Sequence, residues 1–330
     1  MLFQQYILLL KAGSLTALGR CFAALLFTQV VLLSGGCAWL DSKQRNIIYR
    51  PTPGVPADFA GLRTGDERYF LNQPAASPTH GPTHSPTHSP THSPTTSQPT
   101  SASTTALPEQ IEIWWLPHTN PAAPALLYYH GTFRNLYQNL NKINALRDAG
   151  FAVLAVDYRG WGRSTAIVPS EQTILQDAQL AWDELKRKQP NPTQRVIYGH
   201  SMGSGVAVDI ASRLKAPADY AAIVLESAFT TFPDIAAEAN FLGRLASGFN
   251  NERFASIDKI AKVQAPLLMM HGRLDTTVPL VLGQKLFAAA NTPKEWFTVE
   301  GGGHSDLHQV GAAHYQNTVI NFKNKYVLGR

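Results

Sequence analysis

Gly199-His200-Ser201-Met202-Gly203 is the stretch on which the reading of the fold turns. It has the form G-x-S-x-G and lies between an apolar run, Val196-Ile197-Tyr198, and a run of mostly small residues, Ser204-Gly205-Val206-Ala207-Val208. That context predicts a strand, a sharp turn and a helix, a geometry that lifts the Ser201 hydroxyl clear of the backbone. Small residues at 199, 203 and 205 let strand and helix approach closely. Amides at the helix start favour negative charge developing near Ser201. In a chain with 24 glycines the five letters also fit an ordinary tight turn, so the reading depends on the residues further along the chain.

An acid and a histidine follow in the order Ser, Asp, His, each after a strand-like run, as expected where such a serine elbow is a nucleophile. The apolar run Ala265-Pro266-Leu267-Leu268-Met269-Met270 reads as a buried parallel strand, and Asp275 stands in the loop after it. Trp296-Phe297-Thr298-Val299 reads as the last strand, and Gly301-Gly302-Gly303-His304 comes directly behind. A serine hydroxyl is a weak nucleophile by itself. His304 would take its proton and later pass it to a leaving group, while Asp275 would fix the imidazole tautomer and stabilise the imidazolium. Taken singly, Asp275 also fits a turn residue and His304 a surface histidine. Glu226, ending the run 221–225, is a second candidate for the acid; Asp306 lies too close in sequence to His304 to orient it. Upstream, Ala125-Leu126-Leu127-Tyr128-Tyr129 reads as a strand ending in His130-Gly131-Thr132-Phe133. Backbone N–H groups of Thr132 or Phe133, together with that of Met202, are therefore the candidate oxyanion donors, and His130 reads as a packed structural residue.

These motifs, HGTFRN, DYRGWGRS (157–164), YGHSMGSG, HGRLDTTVP and GGGHSDL, together resemble the α/β-hydrolase superfamily across about residues 110–330. They look most like its small-cap branch of serine-aminopeptidase-like proteins, which includes thioesterases and depalmitoylases. The resemblance implies Ser201, Asp275 and His304 as catalytic triad, an acyl ester or thioester as substrate, and no metal or cofactor. Peptidase or amidase activity with the same triad, and a non-catalytic binding protein that keeps the fold, are the alternatives.

The element pattern agrees. Strand-like runs near 111–115, 125–129, 152–157, 195–199, 221–225, 266–270 and 295–299 alternate with helical patterns near 138–149, 171–188, 202–214, 281–290 and 312–326. Such alternation predicts an α/β fold with a mostly parallel central sheet and helices on both faces. Ligands of such sheets bind beyond the carboxyl ends of the strands, where every candidate above falls. Residues 227–264 leave room for a small cap containing Phe229, Phe232, Phe241, Leu242 and Phe249, which fits either an acyl-binding lid or ordinary helix packing. Trp161 likewise fits a place at the site's mouth or plain packing.

Residues 1–36 carry Lys11 and Arg20, no Asp or Glu, an apolar stretch over 21–33, and Ser34-Gly35-Gly36 before Cys37. This reads as a secretory signal. Cys37 after small residues resembles a bacterial lipobox, with Ser34 departing from the usual Leu; an uncleaved N-terminal anchor is the alternative. Lipidation at Cys37 would place the protein in the cell envelope, anchored to a membrane, and Ala38 by resemblance to bacterial sorting favours the outer one. The mature chain would then lack cysteine, so its core must suffice without disulfides. The net charge of +5 falls by two once Lys11 and Arg20 leave, which argues against a nucleic-acid partner and leaves a small-molecule or lipid-like acyl substrate as the expected partner. The expected division is a leader over 1–36, an N-terminal segment over 37–66 and the catalytic domain over 67–330. Within that domain, 77–107 is a Pro/Thr/His/Ser-rich insertion built on a Ser-Pro-Thr-His repeat. Proline at every fourth position denies it a helix. Arg68-Tyr69-Phe70-Leu71 and Glu112-Ile113-Trp114-Trp115-Leu116 flank it and predict an N-terminal antiparallel hairpin. His80, His84, His88 and His92 are able to ligate a metal, but a simple repeat expansion is the preferred reading.

Overall fold

The apolar runs of the sequence become strands of one sheet. A computed structural model describes residues 39–74, 108–239 and 252–329. Among these, the strands are β1 (Glu67–Asn72), β2 (Gln110–Leu116), β3 (Ala125–Tyr129), β4 (Ala152–Asp157), β5 (Arg195–His200), β6 (Ala222–Glu226), β7 (Leu267–Gly272) and β8 (Lys294–Val299). Their order across the sheet is β1-β2-β4-β3-β5-β6-β7-β8. β1 with β2 and β2 with β4 are antiparallel, and every other pair is parallel. Every residue of β3 to β7 is buried, which is why these strands read as unbroken apolar runs and not as alternating ones. Edge strand β1 instead alternates between exposed and half-buried residues. The predicted hairpin is formed, with Arg68 opposite Trp114; the insertion that its strands flank, 77–107, lies outside the described residues, as do the leader and Cys37.

The described helices are α1 (39–49), α2 (Leu136–Asp148), α3 (Glu171–Lys188), α4 (Met202–Ala211), α5 (Phe232–Ala239), α6 (Leu280–Ala289), α7 (Leu307–Val310) and α8 (Ala312–Tyr326). Local chemistry sets their ends. Asn135 and Gln138 form a reciprocal capping box that starts α2, and Ser170 with Thr173 does the same for α3, whose last turn carries Lys186, Arg187 and Lys188 toward its negative end. Ile174, Ala178, Ala181, Trp182 and Leu185 lie at helical spacing along the buried face of α3. Burying a side chain such as Ile174 or Leu185 contributes about 1.5–3 kcal/mol. One core layer joins that face to α4 and one side of the sheet, and the other packs α2 and α8 on the opposite side. The helix predicted over 202–214 stops at Ala211, and the short α7 has no counterpart in the sequence pattern.

Residues 39–66, set apart by the sequence as an N-terminal segment, are built into the fold. Tyr49 of α1 is fully buried and its hydroxyl donates to Glu252. Residues 52–54 exchange backbone hydrogen bonds with Gly162, and the Asn135 amide donates to the carbonyls of Thr52 and Gly54. No helix of the described residues is long and apolar enough to cross a membrane.

Candidate active site

The nucleophile candidate sits at the β5–α4 junction. Ser201 has φ 54° and ψ −123°, a left-handed conformation costing about 1–3 kcal/mol in a non-glycine residue. Its surroundings hold it there. The Ser201 N–H donates to the Glu226 carbonyl at 2.9 Å. The Ser204 hydroxyl donates to the Ser201 carbonyl at 2.6 Å. Glycine is required at 199 and 203 because backbone passes through the space of a side chain: a Cβ would stand 2.2 Å from the Gly203 carbonyl oxygen in the first case and 2.1 Å from that of Tyr129 in the second.

The loops after β7 and β8 bring the acid and the histidine to Ser201. His304 Nε2 lies 2.9 Å from Ser201 Oγ, and His304 Nδ1 lies 2.8 Å from Asp275 Oδ2. Asp275 does two jobs with its two oxygens. Oδ1 accepts the N–H groups of Thr277 at 2.9 Å and Val278 at 2.8 Å, closing the turn that its sequence position suggested, while Oδ2 faces His304. Burial raises the pKa of this carboxyl, but the hydrogen bonds from His271 and His304, the imidazole charge and the Val278 amide outweigh burial and hold it well below the usual carboxylate range. The backbone of His304 is fixed as well: its carbonyl accepts the Ser227 hydroxyl at 3.2 Å and lies 2.9 Å from His200 Nε2. Burial, with Lys142 nearby, pushes the pKa of His200 far down, so its ring is neutral and Nε2–H is the donor.

Glu226, the rival acid, turns away from His304. Its carboxylate pairs with Lys142 and accepts the hydroxyls of Tyr198 at 2.6 Å and Tyr315 at 3.1 Å. Burial raises the Glu226 pKa, but the Lys142 charge and the hydrogen bonds from Lys142 and Tyr198 more than reverse that and bring it to about 2. Asp306 accepts the Gly303 N–H at 2.7 Å. His130 is fully buried against Tyr158 and Trp161, with Nε2 3.3 Å from Asp157. Trp161 packs in the core and does not line the site.

Three amides are candidates for the oxyanion. Met202 is the first residue of α4, where a helix leaves its N–H free. Gly131 lets the loop after β3 run close to Ser201, since a Cβ there would meet the Ser201 Cβ at 2.9 Å. On that loop the Phe133 N–H is already donated to the Tyr49 carbonyl, at 3.3 Å. Of the two candidates on that loop, the Thr132 N–H is the one not given to Tyr49, which favours Thr132 beside Met202 as the donor pair.

Two sizeable cavities open on this centre, beside a narrow cleft lined by Thr132, Arg134, Ser201 and His304. One, of about 440 Å³, runs from Ser201 between Ile47 and Ile48 of α1, Phe232 and Ile235 of α5, and Val278. The other, of about 490 Å³, is polar and is lined by His304, Arg134, Asn139, Lys142 and His308 among others. A larger hollow of about 980 Å³ lies over α3 and touches neither Ser201 nor His304. The role of α1 as a wall of the site has no signal in the sequence beyond the short apolar triplet Ile47-Ile48-Tyr49, of which Tyr49 is fully buried and Ile47 is 70% exposed. The sequence reading also missed His200, His271, Lys142 and Arg134, single polar residues without a recognisable pattern.

A strand-ordered sheet of this kind, with a serine at a strained strand-to-helix junction and an acid and histidine on the two following strand ends, defines the α/β hydrolases. The chain belongs to that superfamily and is a serine hydrolase. The model of the serine aminopeptidase family, S33, matches residues 121–258. The chain is 34% identical over 294 residues to protein Rv2307c of Mycobacterium tuberculosis, covering 88% of this chain and 91% of that one. It is 33% identical over 198 residues to lysophosphatidylserine lipase ABHD12 of Danio rerio; that match spans 55% of this chain and about half of the lipase, 51%. Among solved structures, the Pyrococcus furiosus esterase Pf2001 shares the fold with a TM-score of 0.57 at 20% identity, over 67% of this chain and 88% of that one.

Proposed function

We propose that the protein is an exported, membrane-anchored serine hydrolase that cleaves acyl esters or thioesters of lipid-like molecules, with Ser201, His304 and Asp275 as its catalytic triad. One observation carries this reading: the Ser201 hydroxyl, 2.9 Å from His304 Nε2, lies at the end of an apolar cavity of about 440 Å³. Ser201 Oγ attacks the acyl carbon as its proton passes to His304 Nε2. The oxyanion so formed accepts the N–H groups of Thr132 and Met202, and losing one such donor typically costs about 10²–10³ in rate. His304 returns the proton to the leaving oxygen or sulfur, the bond to it breaks, and an acyl-Ser201 ester remains. Water, deprotonated by His304, then releases the acid. Asp275, kept ionised, stabilises the imidazolium in both halves. Among the relatives, the lipase and esterase names point to the same substrate class.

A fluorophosphonate probe should label the wild type and not Ser201→Ala; a folded but unlabelled wild type would sink the proposal. On p-nitrophenyl esters of rising chain length, kcat/KM should grow about fourfold per methylene that enters the cavity, since each is worth about 0.8 kcal/mol. Faster turnover of aminoacyl p-nitroanilides would favour the peptidase alternative instead. For the anchor, whose support is the sequence around Cys37, Cys37→Ser should move the protein from the membrane to the soluble fraction. Unchanged partitioning would refute lipidation.

A further inference from the structure

The two larger cavities at the site differ in which half of the catalytic pair they expose. Ser201 and Thr132 line the apolar one; His304 lines the polar one and not the apolar one. In ester cleavage the leaving oxygen has to take its proton from His304 Nε2. An ester whose acyl chain lies among Ile47, Ile48, Phe232 and Ile235 therefore directs its alcohol past His304 into the polar cavity. This rests on the acyl-ester reading above.

The charges in that cavity narrow the alcohol further. Lys142 is 2% exposed and committed to Glu226. The Asp306 carboxylate also lines the cavity; it accepts the Gly303 N–H through Oδ1 at 2.7 Å and makes no ion pair with Arg134. Arg134 lines the same cavity, is exposed, and has no carboxylate within ion-pair distance among the described residues. It stands just before the capped start of α2, whose positive end reinforces its field. His308 lines the same cavity, with both ring nitrogens buried and without a hydrogen-bond partner. Burial lowers its pKa, so the ring is neutral, with one N–H to give and one nitrogen to accept. A cation without a counter-ion and an unsatisfied buried donor in one hollow are the complement of an anion with several acceptor oxygens.

We propose that the leaving alcohol carries an anionic group, a phosphate or a carboxylate, bound in the polar cavity by Arg134 with the His308 ring as a further donor. The test uses the full chain and four esters of one acyl group, octanoic acid, below their aggregation concentrations: p-nitrophenol, glycerol, glycerol 3-phosphate and glycerate. The wild type should favour a charged glycerol-type ester over the uncharged one by about tenfold in kcat/KM, the low end for a charge-assisted hydrogen bond at an exposed residue. Whichever charged ester is faster identifies phosphate or carboxylate. In Arg134→Gln that ratio should fall most of the way to one, and Arg134→Lys should restore part of it. A general structural defect would lower all four rates together and leave the ratio intact. No preference for either charged ester, or a preference that survives Arg134→Gln, would overturn the inference. The p-nitrophenyl ester keeps the two readings apart. If Ser201-dependent turnover of it is absent, the hydrolase proposal fails; if it is present and the charge preference is not, only the anion site fails.

Discussion

The buried pair behind the site gives the most demanding test of this structure. Glu226 is fully buried and accepts from Lys142, Tyr198 and Tyr315; Lys142 is only 2% exposed. Glu226→Gln keeps the size and removes the charge. The new amide N–H₂ then competes with three donors for too few acceptors, and the Lys142 ammonium is left without a counter-ion. Breaking a buried pair from one side costs about 3–5 kcal/mol. At about 2–4 °C per kcal/mol for a domain of this order of size, the melting temperature should fall by roughly 10 °C. The measurement is thermal unfolding by circular dichroism at pH 7 and again near pH 10. Burial already lowers the Lys142 pKa, so without Glu226 the folded protein holds that proton less tightly than the unfolded chain. The penalty is complete below the folded pKa and disappears as pH rises toward the unfolded value near 10.4; the deficit should therefore shrink at the higher pH. Lys142→Met combined with Glu226→Gln should cost clearly less than the two singles added together. A single Glu226→Gln loss under about 1 kcal/mol, or additive behaviour in the double variant, would refute the account. Fluorophosphonate labelling at 25 °C adds a separate check. The Ser201 N–H is held by the Glu226 backbone carbonyl, which the substitution leaves in place. Folded Glu226→Gln that no longer labels would restore Glu226 as the catalytic acid.

Asp275→Asn should keep the fold but reverse the hydrogen-bond demand on His304 Nδ1, lowering kcat on p-nitrophenyl esters by about 10³–10⁴; a loss under tenfold would mean that another group orients the histidine. Ile235→Trp should fill the apolar cavity and shift the best p-nitrophenyl ester to a shorter chain, and an unmoved optimum would place the acyl group elsewhere. Asp275 and Glu226 are both held below the ordinary carboxylate range, so each contributes stability that is complete above about pH 4 and is lost as pH falls through its folded pKa, about 2 for Glu226. Asp177 has the opposite sign: burial raises it to about 6 despite Arg159, so its contribution fades as pH rises toward that value. Urea midpoints measured from pH 6 down should therefore drop most steeply between pH 4 and 2, and a flat profile there would contradict both assignments.

The parallel strands were readable because burial on both faces demands unbroken apolar runs, as in Leu126-Leu127-Tyr128 and Ile223-Val224-Leu225. The serine junction was readable for a different reason: backbone contacts near 2 Å exclude any side chain at 199 and 203, so the glycines are forced. Asp275 and His304 were legible through their order and their place after strands. What stayed hidden lies in contacts distant along the chain. Nothing near Lys142 announces that its partner is Glu226, 84 residues away. Phe133 could not be set aside as an oxyanion donor before Tyr49 was seen to take its N–H. Helix α1 was passed over because its worth comes from the cavity that it closes and not from its own pattern.

That helix also bears on how substrate arrives. Ile47 and Ile48 line the apolar cavity, and Ile47, like Trp39 and Leu40 at the other end of α1, is largely exposed, at 70%, 62% and 61%. At 1.5 Å per residue the two ends are only about 12 Å apart. An anchor at Cys37, as proposed above, would stand two positions before Trp39 in sequence and would keep the mouth of the cavity close to the bilayer. An enzyme held so would sample a two-dimensional reservoir. Its effective substrate supply would be set by mole fraction in the leaflet and lateral diffusion, and dilution of the surrounding water would hardly change its rate.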